Sequence, residues 1–202
     1  MQTQKEFIRE QILRVAKAEF YKKGFRKTSV RDIATQMNAT TGTIYTYFKS
    51  KDDLFLEIIA PAVLFAKERF KKVKNIEVFE HDLKLDYNFI REKNYYLITP
   101  MIEHFRDELY LLFFKSSGSV AENMIEQIIH DKSIQYYENT LLLKEKGLAI
   151  NIPIDMKFMR LPVLLLLDIV KEMIKSEMSV EELHNYEARA YTLFCCAWRS
   201  IF

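Results

Sequence analysis

Between Thr28 and Lys51 the pattern of apolar and polar positions restarts three times within a short stretch. Val30, Ile33, Ala34 and Met37 recur at the spacing of one helix face, and Ser29 with Asp32 three residues on forms a capping box at its start. Asn38-Ala39-Thr40 interrupts the pattern as a turn. Thr40 then caps a second helix whose inward residues are Ile44 and Phe48, four apart. Ser50 and Asp53 repeat the capping box, so a third helix begins with Lys51 in its first turn. The spacing predicts a helix-turn-helix whose outward positions, Thr41, Thr43, Thr46 and Tyr47 among them, are hydroxyls and aromatics of the kind that meet phosphates and base edges.

Beyond Lys51 the chain keeps reading as helix after helix. The third helix of the motif runs to about Val73 with Leu54, Ile58, Phe65 and Phe70 on its apolar side. Pro61 lies inside it, which predicts a kink or break near Ala60 because proline lacks the backbone donor and clashes with the preceding turn. Another helix is expected over 76–93. Thr99-Pro100 opens the next by a cap and an N1 proline, and it continues to about Lys115 before Ser116-Ser117-Gly118 interrupts it. Ser119 with Glu122 reads as a further capping box, for a helix that Gly147 ends. A penultimate helix over 153–176 is expected to bend at Pro162, and Ser179 with Glu182 caps the last, which runs to Phe202. The expectation is an all-α fold of about nine helices without strands.

At this point the sequence resembles the TetR family of transcriptional regulators. The likeness runs from about Ile12 to Leu54 and includes Ile12, Ala16, Phe20, Gly24 and Phe25, then Thr28-Ser29-Val30-Arg31-Asp32-Ile33-Ala34. Its most specific part is Gly42-Thr43-Ile44-Tyr45-Thr46-Tyr47-Phe48-Lys49-Ser50-Lys51-Asp52-Asp53-Leu54, similar to the family signature G-x-[LI]-Y-x-[YH]-F-x-[ST]-K-[ED]-x-L. Ala39 departs from the larger aliphatic usual in the family's turn. The resemblance implies a DNA-binding domain over 1–50 and a helical regulatory and dimerisation domain over 51–202. It implies DNA contacts from Thr28, Ser29, Arg31, Thr40, Thr41, Gly42, Thr43, Tyr45, Thr46, Tyr47, Lys49 and Lys51. Among these, Tyr45, Tyr47 and Lys51 correspond to positions near the phosphate backbone, while Thr41 and Thr46 are expected to touch bases.

Charge agrees with that polarity. The net charge is +2, yet residues 1–51 hold 11 Lys/Arg against 4 Asp/Glu and the remainder holds 19 against 24. A basic N-terminal lobe on an acidic body suits docking of one end on a polyanion. Apolar content of 49% with four Gly and four Pro excludes a linker-rich or disordered chain.

The last two helices are apolar on nearly every face: 163–170 apart from Asp168, and 191–202 apart from Arg199. A helix apolar all round must be covered on more than one side, and a second copy of the chain is the simplest cover. The family resemblance implies the same, through a four-helix bundle. Candidate dimer residues are Leu165, Leu166, Ile169, Tyr191, Phe194, Cys195 and Trp198. The aromatic-rich middle of the chain is read as core or as a partly polar cavity. The resemblance implies a pocket there for a small apolar or aromatic effector, with Phe65, Met101, His104, Phe105, Tyr110, Phe113, Tyr136 and Tyr137 as candidate contacts.

Other chemistries find little support. Glu77/His81 and Glu126/His130 are spaced one helical turn apart, as solvated pairs are, and only Glu181/His184 has the Glu-x-x-His spacing of a di-iron bundle. No phosphate-cradling glycine loop, zinc spacing or nucleophile elbow is present, so no enzyme, cofactor or metal is expected. Adjacent Cys195 and Cys196 read as reduced thiols in a cytoplasmic protein. The greasiest run, 161–170, is too short to span a membrane. The remaining alternatives are a constitutive DNA binder without effector and a helical-bundle metalloenzyme.

Overall fold

A computed structural model of the chain describes residues 4–71, 87–92, 96–147 and 153–200. Among these residues the structure is helical and contains no strand. The helices are α1 (Gln4–Lys23), α2 (Val30–Gln36), α3 (Thr41–Tyr45), α4 (Lys51–Lys71), α5 (Tyr87–Glu92), α6 (Thr99–Tyr110), α7 (Val120–Glu145), α8 (Met156–Lys175) and α9 (Val180–Arg199). A π-helical turn, Leu111–Lys115, continues α6. Most of the helix expected over 76–93, His81 included, lies outside the described residues, as do residues 201–202 at the end of the last helix.

The chain forms two compact units. The first takes residues 1–64 and 105–125, the second 65–104 and 126–202. In the first unit Phe20, Phe25 and Phe55 form an aromatic centre with ring centroids 5.1 to 5.8 Å apart. Ile12, Ala16, Ile33, Ile44, Phe48 and Leu54 close around it, and Leu111, Leu112 and Ala121 fill the same core from the later segment. The Phe25 N–H donates to the Lys115 carbonyl at 2.8 Å. Lys17 pairs with Glu108 at 2.9 Å and Asp107 at 3.1 Å. Burial lowers the Lys17 pKa, but its hydrogen bonds to the two carboxylates outweigh that and hold it above its ordinary value.

In the second unit α9 packs on α5 and α8. Ile90, Tyr96, Ala188, Phe194 and Cys195 make one buried cluster, and Leu143, Met159 and Trp198 another. Glu187 of α9 is buried, and its carboxylate accepts from the N–H groups of Leu97, Ile98 and Thr99 and from the Thr99 hydroxyl, each at 2.7 Å. Those are orphan donors of the α6 N-terminus, where a negative charge is also favoured by the helix dipole. From the other side the Arg69 guanidinium donates to the carbonyls of Tyr96 and Leu97. The start of α6 is therefore held by its N–H groups and its carbonyls at once.

The local start signals hold in part. Ser29/Asp32 and Ser179/Glu182 are reciprocal capping boxes, and Thr40 accepts from the Thr43 N–H. At Ser50 only half the box forms: its hydroxyl accepts from the Asp53 N–H, while the Asp53 carboxylate reaches the Lys49 N–H instead. At Ser119 the Glu122 carboxylate goes to the Gly118 N–H, because the Ser119 N–H already donates to the Ser116 carbonyl at 2.9 Å in the turn, as does its hydroxyl. Thr99 is not the cap of α6. The Ile98 carbonyl accepts the first bonds, from Met101 and Ile102, and the capping carboxylate is that of Glu187.

Of the kink or break expected near Ala60, the break is absent. Helix α4 runs through it, with Pro61 exposed while Ile58, Ile59 and Ala62 are buried, so the missing donor faces solvent and the packed face keeps the helix intact. Helix α8 likewise passes through Pro162 without interruption.

Candidate nucleic-acid interface

Asn38, at φ 52°, supplies the left-handed residue that reverses the chain between α2 and α3, a conformation asparagine tolerates better than most residues. With Ile33, Ile44 and Phe48 buried on the core, the opposite side of α3 is set outward. Thr41 and Gly42 are exposed there, and Tyr45 is 53% exposed.

Beside α3 lies a shallow open concavity of about 580 Å³, lined by Arg26, Lys27, Thr28, Ser29, Val30, Arg31, Thr41, Tyr45 and Lys51. Four of the lining side chains are cationic and none is acidic. Two carboxyls adjoin lining residues in sequence: Asp32 is held below its ordinary pKa by the Ser29 backbone N–H and then by the Ser29 hydroxyl and stays engaged in the capping box, and Asp52 accepts from the Val120 N–H at 2.8 Å. Arg26 and Lys27 were not among the residues expected from the sequence; the signal for them was a basic pair directly before a helix start.

The expected contact residues divide into those that face out and those whose polar groups already have partners. The Thr28 side chain is buried, its hydroxyl bonded to the Gly24 carbonyl at 2.9 Å. Thr40 and Thr43 share a hydroxyl–hydroxyl bond of 3.0 Å. The Thr46 hydroxyl donates to the Gly42 carbonyl at 3.0 Å. Tyr47 is half-buried against the first core, whereas Arg31 and Lys49 are exposed. The half-buried Lys51 ammonium donates to the carbonyls of Phe25 and Thr28, both at 2.9 Å, and sits 4.0 Å from the centroid of the Phe25 ring. It ties down the loop that carries Arg26 and Lys27.

The family model for bacterial regulatory proteins of the tetR family matches residues 12–58, the span that builds this helix-turn-helix and the start of α4. The chain belongs to the TetR family. It is 29% identical over 148 residues to the HTH-type transcriptional regulator QacR of Staphylococcus aureus, covering 70% of this chain and 71% of that protein. It is 28% identical over 142 residues to the uncharacterized HTH-type transcriptional regulator YerO of Bacillus subtilis, covering 67% of this chain but only 46% of that relative. A solved structure of a transcriptional regulator from Aquifex aeolicus shares the fold, with a TM-score of 0.54 at 21% identity, covering 91% of this chain and 97% of that one. This TetR-family chain is thus a DNA-binding transcriptional regulator, and the basic concavity beside α3 lies within its DNA-binding domain.

The residues expected to hold an effector fall in both units. Phe65 stacks on His104 at 5.9 Å, Met101 is buried, and Tyr136 packs on Trp198 at 5.8 Å, all in the second unit, where Tyr137 joins the Leu143 cluster. In the first unit Tyr110 stacks on Tyr21 at 4.7 Å, Phe113 packs on the main core, and Phe105 is the one residue of α6 that leaves helical dihedrals. Among the expected dimer residues, Phe194, Cys195 and Trp198 are buried within the chain, Leu166, Ile169 and Tyr191 are half-buried, and Leu165 is exposed. Leu161 and Leu193, which were not among the expected residues, are 59% and 69% exposed. Among the described residues no group of three metal-ligating side chains occurs, and no helix is long and apolar enough to cross a membrane.

Lys51→Met tests the clasp. It is expected to lower stability by about 1.5–3 kcal/mol, since two hydrogen bonds from a charged donor are lost. The salt slope of DNA binding is expected to fall by about two units, because Arg26 and Lys27 lose their register together. A fall of one unit with an unchanged melting temperature would instead assign Lys51 to a single phosphate.

Proposed function

We propose that a homodimer of this chain represses transcription by seating two copies of α3 in successive major grooves of a pseudo-palindromic operator, and that a small apolar or aromatic effector releases it. The observation that carries the DNA reading is the acid-free concavity of Arg26, Lys27, Arg31 and Lys51 flanking the exposed Thr41 and Tyr45. Cationic groups there hold the sugar-phosphate strand and fix register, while the outward side of α3 addresses base edges.

The dimer reading is supported by the exposed apolar side of the last two helices. Leu161 and Leu165 on α8, and Leu193 with Cys196 on α9, are exposed at three- and four-residue steps on the open face of each helix, beside the charged Asp168, Glu172 and Arg189. TetR-family regulators bind DNA as dimers and respond to small molecules, and repression is the family's usual mode. Of the expected effector contacts, Tyr110 and Phe113 already belong to packing within the first unit. The proposal keeps Phe65, Met101, His104, Tyr136 and Tyr137, which share the second unit.

The test is selection of DNA from a random pool by the purified full chain, followed by sequencing. An enriched inverted repeat with half-site centres about 34–36 Å apart, or a helical repeat further, is expected. A pool that emerges without enrichment, or with a single unrepeated half-site, overturns the dimeric operator reading.

A further inference from the structure

Three successive residues after α1 lean on one short turn far along the chain, all within the first unit. A Cβ on Gly24 would meet the Lys115 carbonyl at 3.7 Å, and the Phe25 N–H donates to that same carbonyl at 2.8 Å. Arg26 lies against Gly118: a Cβ on Gly118 would stand 3.6 Å from both Cβ and Cγ of Arg26 and 3.9 Å from its Cδ. Three consecutive carbons beside one point mean that the stem runs along the glycine instead of pointing away from it. The turn is itself tied down. Gly118 takes φ 85°, its N–H donates to the Glu122 carboxylate at 2.7 Å, and the Ser116 hydroxyl, buried, donates to the Leu112 carbonyl at 2.7 Å.

Arg26 is exposed, and it lines the acid-free concavity beside α3. An arginine has many rotamers to lose on meeting a phosphate, and a stem held in advance loses fewer. No residue of the 115–118 turn lines the concavity, so an effect of the turn on that surface runs through Arg26. We infer that this turn is a positioning element of the DNA interface, with Gly118 as the positioning residue: it seats the Arg26 stem so that the guanidinium stands ready for a backbone phosphate. The inference rests on the DNA-binding reading above and adds to it a residue well outside the helix-turn-helix.

Duplex DNA of random sequence is the probe, since the contact is to phosphate. Arg26→Met, which keeps a stem of similar length without the charge, is expected to make the salt slope of binding shallower by about one unit for each bound chain. Gly118→Asn keeps a residue type that tolerates positive φ and puts a side chain where the stem lies. Its affinity is expected to fall about three- to tenfold, the scale of ordering one arginine on binding instead of beforehand, with melting showing that the protein is folded. In the Arg26→Met background the same substitution is expected to cost less than about twofold. An equal loss in both backgrounds, or no loss in a folded Gly118→Asn protein, overturns the inference. Should Gly118→Asn fail to fold, the wild-type protein decides. NMR relaxation of its arginine Nε–H groups, without DNA, is expected to show Arg26 more ordered than the exposed Arg31, and equal mobility overturns the inference. Failure of the wild-type protein to bind any DNA removes the DNA-binding reading and the inference with it, whereas binding whose salt slope Arg26→Met leaves unchanged removes the inference alone.

Discussion

Replacing Glu187 with alanine is expected to destabilise the protein by about 3–5 kcal/mol, through buried donors left unsatisfied and a lost charge–dipole interaction. Three backbone N–H groups and a hydroxyl converge on this one carboxylate at 2.7 Å. Water reaches some of them after truncation, which keeps the loss below the sum of four separate bonds. Glu187→Gln keeps the shape and one acceptor oxygen but turns an amide NH₂ toward N–H groups, so its loss is expected to be intermediate. Urea denaturation followed by the fluorescence of Trp198, the single tryptophan and a member of the same unit, reads the effect. A midpoint for Glu187→Ala within error of wild type would show that the α6 donors find other partners at no cost. Against a total stability of typically 5–15 kcal/mol, the expected loss is a large fraction of what holds the protein folded.

Leu193→Glu and Leu165→Glu are expected to give folded monomers. Both side chains are exposed in the single chain, at 69% and 48%, so each substitution changes monomer stability by no more than about 0.5 kcal/mol. In the proposed dimer each places a charge in an apolar interface at an effective cost of several kcal/mol. Light scattering should show half the wild-type mass. Operator affinity should fall about 10²–10⁴-fold as the two reading heads lose their linkage. Phe194→Asp serves as the contrast: Phe194 is 7% exposed and packs inside the second unit, so that variant is expected to unfold rather than dissociate. A soluble Leu193→Glu dimer of undiminished mass would remove the open face of α9 from the interface.

The helix starts at Ser29, Thr40 and Ser179 were legible in the sequence because each cap involves residues no more than three apart. The outward set of α3 was legible for the same reason, once Ile44 and Phe48 fixed the inward face. What escaped depends on partners distant in the chain. Glu187 reads as one more acid on a charged helix, and its donors lie 88 to 90 residues earlier. Lys51 reads as a phosphate contact because nothing local shows the carbonyls 23 and 26 residues before it. Phe194 and Leu165 were read as equivalent because an all-round apolar helix does not say which side its own chain will cover. Thr43 and Thr46 looked like free hydroxyls until the helix geometry brought each within reach of a partner.

The reading head is not a cassette. Leu111, Leu112 and Ala121 are as deeply set in its core as Phe20 or Leu54, and the Lys115 carbonyl receives the Phe25 N–H at the end of α1. A fragment cut after the helix-turn-helix signature would open that core to water and leave the Phe25 amide without its acceptor. Exchange of DNA specificity between relatives by swapping contiguous N-terminal segments therefore carries a hidden requirement: the recipient's residues 105–125 must fit the donor's aromatic centre. Recombination among such genes is expected to favour outward substitutions on α3 over transplanted heads, so operator preference drifts faster than the scaffold that presents it.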